Sequence, residues 1–362
     1  MNRIINTIIT LIIALILSMP ALPAKAESAI SVGQYVQLGR CYGEPIMWRC
    51  VDIDENGPLM LSDKIIACKA FDAAGEHPND HNDSRLDWGS NLWETSNIRS
   101  WLNSTASAGN VNWLCGNPPV EGNVRHTTLT RIPDIENPYA MEKGFLADGN
   151  FTESERSIIK PVIQHSLLNN RDMEMATSGH TTFSRNDYIS TVVQNYDSAY
   201  AHDVTDKIFL LDLKQVNRVY QNLGDYYIAK PTPAAVANSN YKSVRLASDK
   251  TWHYWLRTPL TGSRYPCNVR FVNCKGYIFS KKASSSYAGV RPAFYMDLSS
   301  ATFKSGTGSA ANPYTVTIDE VQKDADIAII IDNEPLYTDV SPIILRGRGA
   351  AAPAKREFMW RL

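Results

Sequence analysis

The chain has 362 residues, 44% hydrophobic and 10% aromatic, which is enough apolar surface for a substantial core. Its 36 basic and 37 acidic side chains nearly cancel, and without Arg3 and Lys25 of the N-terminal leader the balance is 34 against 37, a net charge of −3. No Lys/Arg cluster points to nucleic acid or to an anionic membrane, so neither is expected as a partner.

The leader comes first. Arg3 is a basic n-region, Ile8 to Leu17 an apolar h-region, and Ala24-Lys25-Ala26 the small-x-small pattern of a signal-peptidase site. The apolar run is shorter than the ~20 residues of a spanning helix, so cleavage near Ala26 is expected rather than anchoring. No later segment is as apolar, and no integral membrane segment is expected in the mature protein, which should be secreted or held at the cell surface. Six cysteines follow: Cys41, Cys50, Cys68, Cys115, Cys267 and Cys274. An even count in an exported chain permits disulfides. Cys267 and Cys274 flank an expected strand and at ~3.3 Å per residue lie about 23 Å apart, beyond disulfide reach. Cys50 and Cys68 stand among apolar residues, as buried thiols do.

Residues 32–66 alternate as a β-meander, with Ile46, Trp48 and Cys50 on one face, a turn at Gly43 to Pro45 and a hairpin signal at Asn56-Gly57. Residues 72–91 are polar and turn-rich. A helix is expected from Thr95 or Ser96, with Ile98, Trp101 and Leu102 on one side. Another should start at Thr152, with an acidic first turn and an apolar stripe of Ile158, Ile159 and Val162. Lys207 to Leu211 reads as a buried strand and Asp212 to Tyr220 as a helix. Strands at Trp252–Arg257, Val269–Asn273 and Val290–Leu298 close the domain. Many short strands with few helices on long loops imply an α+β domain.

Seven segments carry a resemblance: GQYV at Gly33–Val36, EPIMWR at Glu44–Arg49, LSDK at Leu61–Lys64, WETSNIRSWL at Trp93–Leu102, DKIFLL at Asp206–Leu211, WLRTP at Trp255–Pro259 and GVRPAF at Gly289–Phe294. In this order, over about residues 31–298, they resemble the DUF6273 family of bacterial surface domains. The last three also resemble the end of a C-type-lectin-like fold of the formylglycine-generating-enzyme type, which implies two or three helices, short strands and long loops. The main domain is therefore expected at 27–303, with no cofactor. The oxidase-like side of that superfamily uses cysteines near its C-terminal strands, but Cys267 and Cys274, flanking one strand, cannot act together.

For metal, the densest cluster is Glu76 to Asp83, where His77, Asp80, His81 and Asp83 offer mixed donors that would favour calcium over zinc; a solvated loop accounts for them better. For nucleophilic catalysis, His126, His165, His180, His202 and His253 are scattered and none falls in a recognised Ser or Cys constellation. Trp48, Trp93, Trp101 and Trp255 read as core, and Arg49, Arg257 and Arg291 as braces to carbonyls or carboxylates. Trp252-His253-Tyr254 stands just outside the WLRTP motif and is expected on a rim with Tyr287, beside variable loops at Leu260–Pro266 and Lys281–Tyr287. The expected function is a binding or structural module for a glycan or surface protein, and the alternative a cell-wall hydrolase such as an amidase.

Beyond the domain, residues 304–320 read as a Gly/Ser-rich linker and a strand at Thr315–Ile318. Residues 321–362 follow, in which Ile327 to Arg348 resembles the opening of a copper amine oxidase N-terminal-like domain. That match dissolves after Arg348, which implies a truncated β-hairpin stub, too short to bury a core of its own.

Overall fold

The computed structural model describes residues 30–75, 83–124, 136–169, 172, 201–242, 244–260 and 266–318. The expected leader and the tail resembling an amine oxidase domain lie outside these residues. The chain divides into units at 1–317 and 318–362. The first is a mixed α+β unit, with strands predominating and five α-helices among the described residues against the two or three expected.

The meander forms as its alternation requires: β1 (Tyr35–Cys41), β2 (Glu44–Asp54) and β3 (Gly57–Ser62) pair antiparallel. The β1–β2 turn is Tyr42-Gly43, one residue earlier than expected, with φ of 50° and 82°. A tyrosine in the left-handed region carries strain, and the Tyr42 hydroxyl is engaged there by the Glu142 carboxylate at 3.3 Å. In the polar stretch after Ala67–Cys68 (β4) lies an unexpected helix, α1 (Asp83–Trp88). Asp72 organises this region, its carboxylate accepting the N–H groups of Ser90 at 2.8 Å and Asn97 at 3.0 Å. Helix α2 (Asn97–Leu102) starts at its Ser96 cap as expected.

Helix α3 (Glu153–Ser157) opens with a full capping box between Thr152 and Glu155 but is far shorter than its apolar stripe predicts. Ile159 and Val162 belong instead to β5 (Ile159–Lys160) and β6 (Val162–Leu167). Pro161 is the reason: it supplies no N–H and drives Lys160 out of helical geometry. Strand β7 (Ala201–Asp206) pairs with β6 and is too polar to read as a strand alone. β8 is only Phe209–Leu210, and α4 (Leu213–Leu223) begins at Asp212 as expected but runs three residues further. Helix α5 (Pro233–Ala237) comes next.

The C-terminal strands are β9 (Tyr254–Pro259), β10 (Asn268–Val272), β11 (Ile278–Lys282), β12 (Gly289–Val290), β13 (Pro292–Met296), β14 (Ala301–Ser305) and β15 (Tyr314–Ile318). The single strand expected over Val290–Leu298 is thus two, because the chain changes sheets at Arg291. β12 belongs to a five-stranded sheet, β11-β10-β9-β12-β4, while β13 lies in an eight-stranded one, β14-β15-β1-β2-β3-β13-β5, with β8 also on β13. The expected linker is corrected: residues 306–313 are the turn between β14 and β15, and β15 pairs parallel with β1 through Val36 and Tyr314. Gly and Ser suit a hairpin turn as well as a linker. Here Gly306 and Gly308 both hold positive φ, and the Tyr314 ring packs on Phe303 at 4.7 Å.

Arg291 sits at the sheet change, almost wholly buried. Its guanidinium donates to the carbonyls of Ser62 at 2.9 Å and Asp63 at 3.3 Å, and to those of Tyr226 and Tyr227 at 3.1 Å each. Arg291→Lys keeps the charge but not the fork, so the protein should lose about 3 kcal/mol, read as a lower urea midpoint at unchanged m-value.

Candidate functional site

The site grows from the end of the five-stranded sheet. Trp252, His253 and Tyr254 enter β9, Phe271 lies on the neighbouring β10, Lys281 on the edge strand β11, and Tyr287 in the return to β12. Tyr287 is the hub. It stacks on Tyr241 at 5.4 Å and 25°, meets Trp252 at 6.3 Å and His253 at 4.9 Å edge-on, and has the Lys281 amine 3.6 Å from its ring centre. Trp252 and His253 stack at 4.2 Å, and Trp252 donates its indole N–H to the Tyr287 carbonyl at 2.9 Å. Phe271 closes the cluster, 5.6 Å from His253 and 5.7 Å from the Lys281 amine.

The structure brings Trp252, His253 and Tyr287 together but corrects the expected rim: of the four residues only His253 reaches the surface, and Tyr254 lies outside the cluster. Tyr254 is 1% exposed; its hydroxyl donates to the Tyr227 carbonyl at 2.6 Å and its ring faces the Arg291 guanidinium. Strand alternation sends it to the other side of β9 from His253. Trp252 and Tyr287 are also buried, and it is Tyr241, His253 and Lys281, each half-buried, that reach the surface. Tyr241 and Phe271 escape the sequence analysis, while Lys281 is expected only as the start of the loop Lys281–Tyr287. The register pair Val269–Lys281 aligns β11 on β10, a tertiary fact with no local signal.

Lys281 has an unusual setting. Burial lowers its amine to about pKa 7. Among the described residues no carboxylate pairs with it.

Beyond Lys281 and Lys282 the expected loop face at Lys281–Tyr287 is buried. Ser284, Ser285 and Ser286 are 0% exposed, because the Ala283 carbonyl accepts the Phe71 and Asp72 N–H groups and Ser284 N–H donates to Trp88. Leu260 is half-buried, while 261–265 lie outside the described residues.

Elsewhere among the described residues the charged side chains largely pair with one another. Lys69, 1% exposed, pairs with Glu142 at 2.6 Å between the rings of Trp101 and Tyr139, a cation cage filled by the chain itself. His165 pairs with Asp203, and His202 with Glu94 at 3.4 Å, on the exposed β6–β7 ribbon. A cleft of about 140 Å³ between Glu44, Met47, Asp63 and Pro233 is smaller than the ~300 Å³ of ordinary ligand pockets. The metal candidates His77, Asp80 and His81, with the side chain of Asp83, lie outside the described residues; within those residues no three metal-binding side chains converge.

All six thiols are free, and only Cys274 is exposed. Burial pushes Cys41, Cys50, Cys68 and Cys115 up to about 12 and raises Cys267, so these thiols stay protonated at neutral pH. A thiol-disulfide reagent should label Cys274 alone in the native protein, and all six on denaturation. Rapid native labelling of a second cysteine would contradict the packing.

Neither a curated protein nor a solved structure matches the chain. The family described as "Domain of unknown function (DUF6273)" matches residues 56–298, and the chain belongs to that family.

Proposed function

We propose that the protein is a secreted or cell-surface binding module of a bacterium, holding a glycan or glycan-bearing surface component at the Tyr287 cluster. The observation that carries this reading is the grouping of Tyr241, His253 and Lys281 at the surface of an otherwise buried aromatic stack. Aromatic faces provide contact area for sugar rings at small entropic cost, while the imidazole and amine offer polar contacts. A C-type-lectin-like architecture is part of the proposal, supported by the tryptophan strand β9, the β10–β11 hairpin and the Gly-x-Arg passage from β12 to β13. The export reading rests on the leader; exported protein should begin at Glu27, and a Met1 terminus in the membrane fraction would refute it.

Co-sedimentation with purified cell walls tests the binding. Tyr241 is half-buried and stacks on Tyr287 and Trp252, so Tyr241→Ala should reduce retention about tenfold, with the melting transition preserved. Equal retention of the variant, or none of the native protein, defeats the reading. Release of new amino groups from the walls would instead favour the amidase alternative.

A further inference from the structure

Among the described residues most largely buried cations have an acceptor from the chain, and Arg270, fully buried, is likewise not without a partner. Lys69 has Glu142, Arg85 has Asp172 at 2.6 Å, Arg99 has Asp206 at 2.6 Å, and Arg257 has Asp212 at 2.8 Å. Arg291 has its four carbonyls. Lys281 and Lys282, both half-buried on β11, lie against aromatic rings, Lys281 at Phe271 and Tyr287 and Lys282 at Trp88. Lys281 is half-buried, so its ammonium is only partly hydrated, and the quadrupole of one tyrosine face offsets only part of the lost hydration.

We propose that the Tyr287 cluster takes an anionic sugar polymer, whose carboxylate or phosphate becomes the missing partner of the Lys281 amine while a sugar ring lies against Tyr241. This rests on the binding function proposed for the same cluster and names its ligand class. The groups facing Lys281 agree with it: Tyr287 from the β11–β12 return, Phe271 from β10 and, beyond these rings, His253 ahead of β9 and Tyr241. Among the described residues that face it, none is an acid that would repel an anion. Lys282, next along β11, turns to the opposite face and lies over the Trp88 ring.

The pH dependence has a definite sign. Free Lys281 titrates at about 7, below an unfolded lysine, so it weakens the free protein at and below that pH and weakens it less as pH rises toward 10. A bound anion favours the ammonium and raises its pKa. Binding is therefore tightest below pH 6 and falls as the free amine loses its proton, by about tenfold from pH 6 to pH 8.

The test is titration of the full chain, followed by intrinsic tryptophan fluorescence, with three probes: an oligogalacturonide, a phosphomannan oligosaccharide and a neutral chito-oligosaccharide. One or both anionic probes should bind at least tenfold tighter than the neutral one at pH 6, and the one that does identifies the source of the anion. Lys281→Met should lose that preference while melting no lower than the native protein. Lys281→Arg, charged at every pH used, should bind the anion with a flat profile between pH 6 and 8. Equal binding of the neutral probe, an unaltered preference in Lys281→Met, or a native profile flat with pH overturns the inference. Should cell walls retain the protein through Tyr241 while neither anionic probe binds, the inference falls and the binding reading stands.

Discussion

The guanidinium of Arg291 is the constraint on which the arrangement depends. The chain crosses from the five-stranded to the eight-stranded sheet at this residue, so neither sheet's ladder can hold the crossing itself. A buried cation with four carbonyl acceptors does so, joining the end of β3 to the 3₁₀ turn Gly224–Tyr227 after α4. Hydrogen bonds to a charged donor each contribute more than neutral ones, and the planar fork fixes directions that a lysine leaves free. The Tyr254 ring, against the same guanidinium, ties β9 to the crossing.

The family segments interlock in the same way. Asp206 of DKIFLL accepts the Trp93 indole N–H at 2.8 Å and pairs with Arg99, both from WETSNIRSWL. Burial raises the Asp206 carboxyl, while the Arg99 charge and the indole donor pull it back. Arg257 of WLRTP donates to the Leu210 carbonyl and to Asp212, and Arg291 of GVRPAF reaches back to LSDK. Each segment thus supplies a partner to a distant one. Their chemistry is spent on architecture, and the surface of the Tyr287 cluster lies largely outside them.

Legibility in the sequence divides along the same line between local and distant partners. The meander, the caps at Ser96, Thr152 and Asp212, and the buried tryptophans are legible because their signals are local: alternation, a capping residue, an apolar neighbour. The end of α3 is legible too, once Pro161 is weighed above the stripe of Ile158, Ile159 and Val162. Strand β7 is not, since AHDVTD is a strand only through its pairing with β6. The Tyr314 strand looks like an appendage because parallel pairing with β1, almost 280 residues earlier, leaves no trace in spacing.

The candidate site is the least legible part, for a reason that bears on its character. Trp252, His253 and Tyr254 are adjacent in sequence, and their polar edges suggest one rim; a pleated strand entry divides them between two faces and leaves Tyr254 to the core. Tyr241, Phe271 and Lys281 come from separate segments and meet only around Tyr287. A half-buried amine over the Tyr287 ring gives up part of its hydration, which a methionine of similar length would not. Lys69, Arg85, Arg99, Arg257 and Arg291 have acquired acceptors from the chain. Lys281 and Lys282 have aromatic rings instead, and of the two Lys281 is the one that lies in the Tyr287 cluster, where the proposed ligand would supply an acceptor.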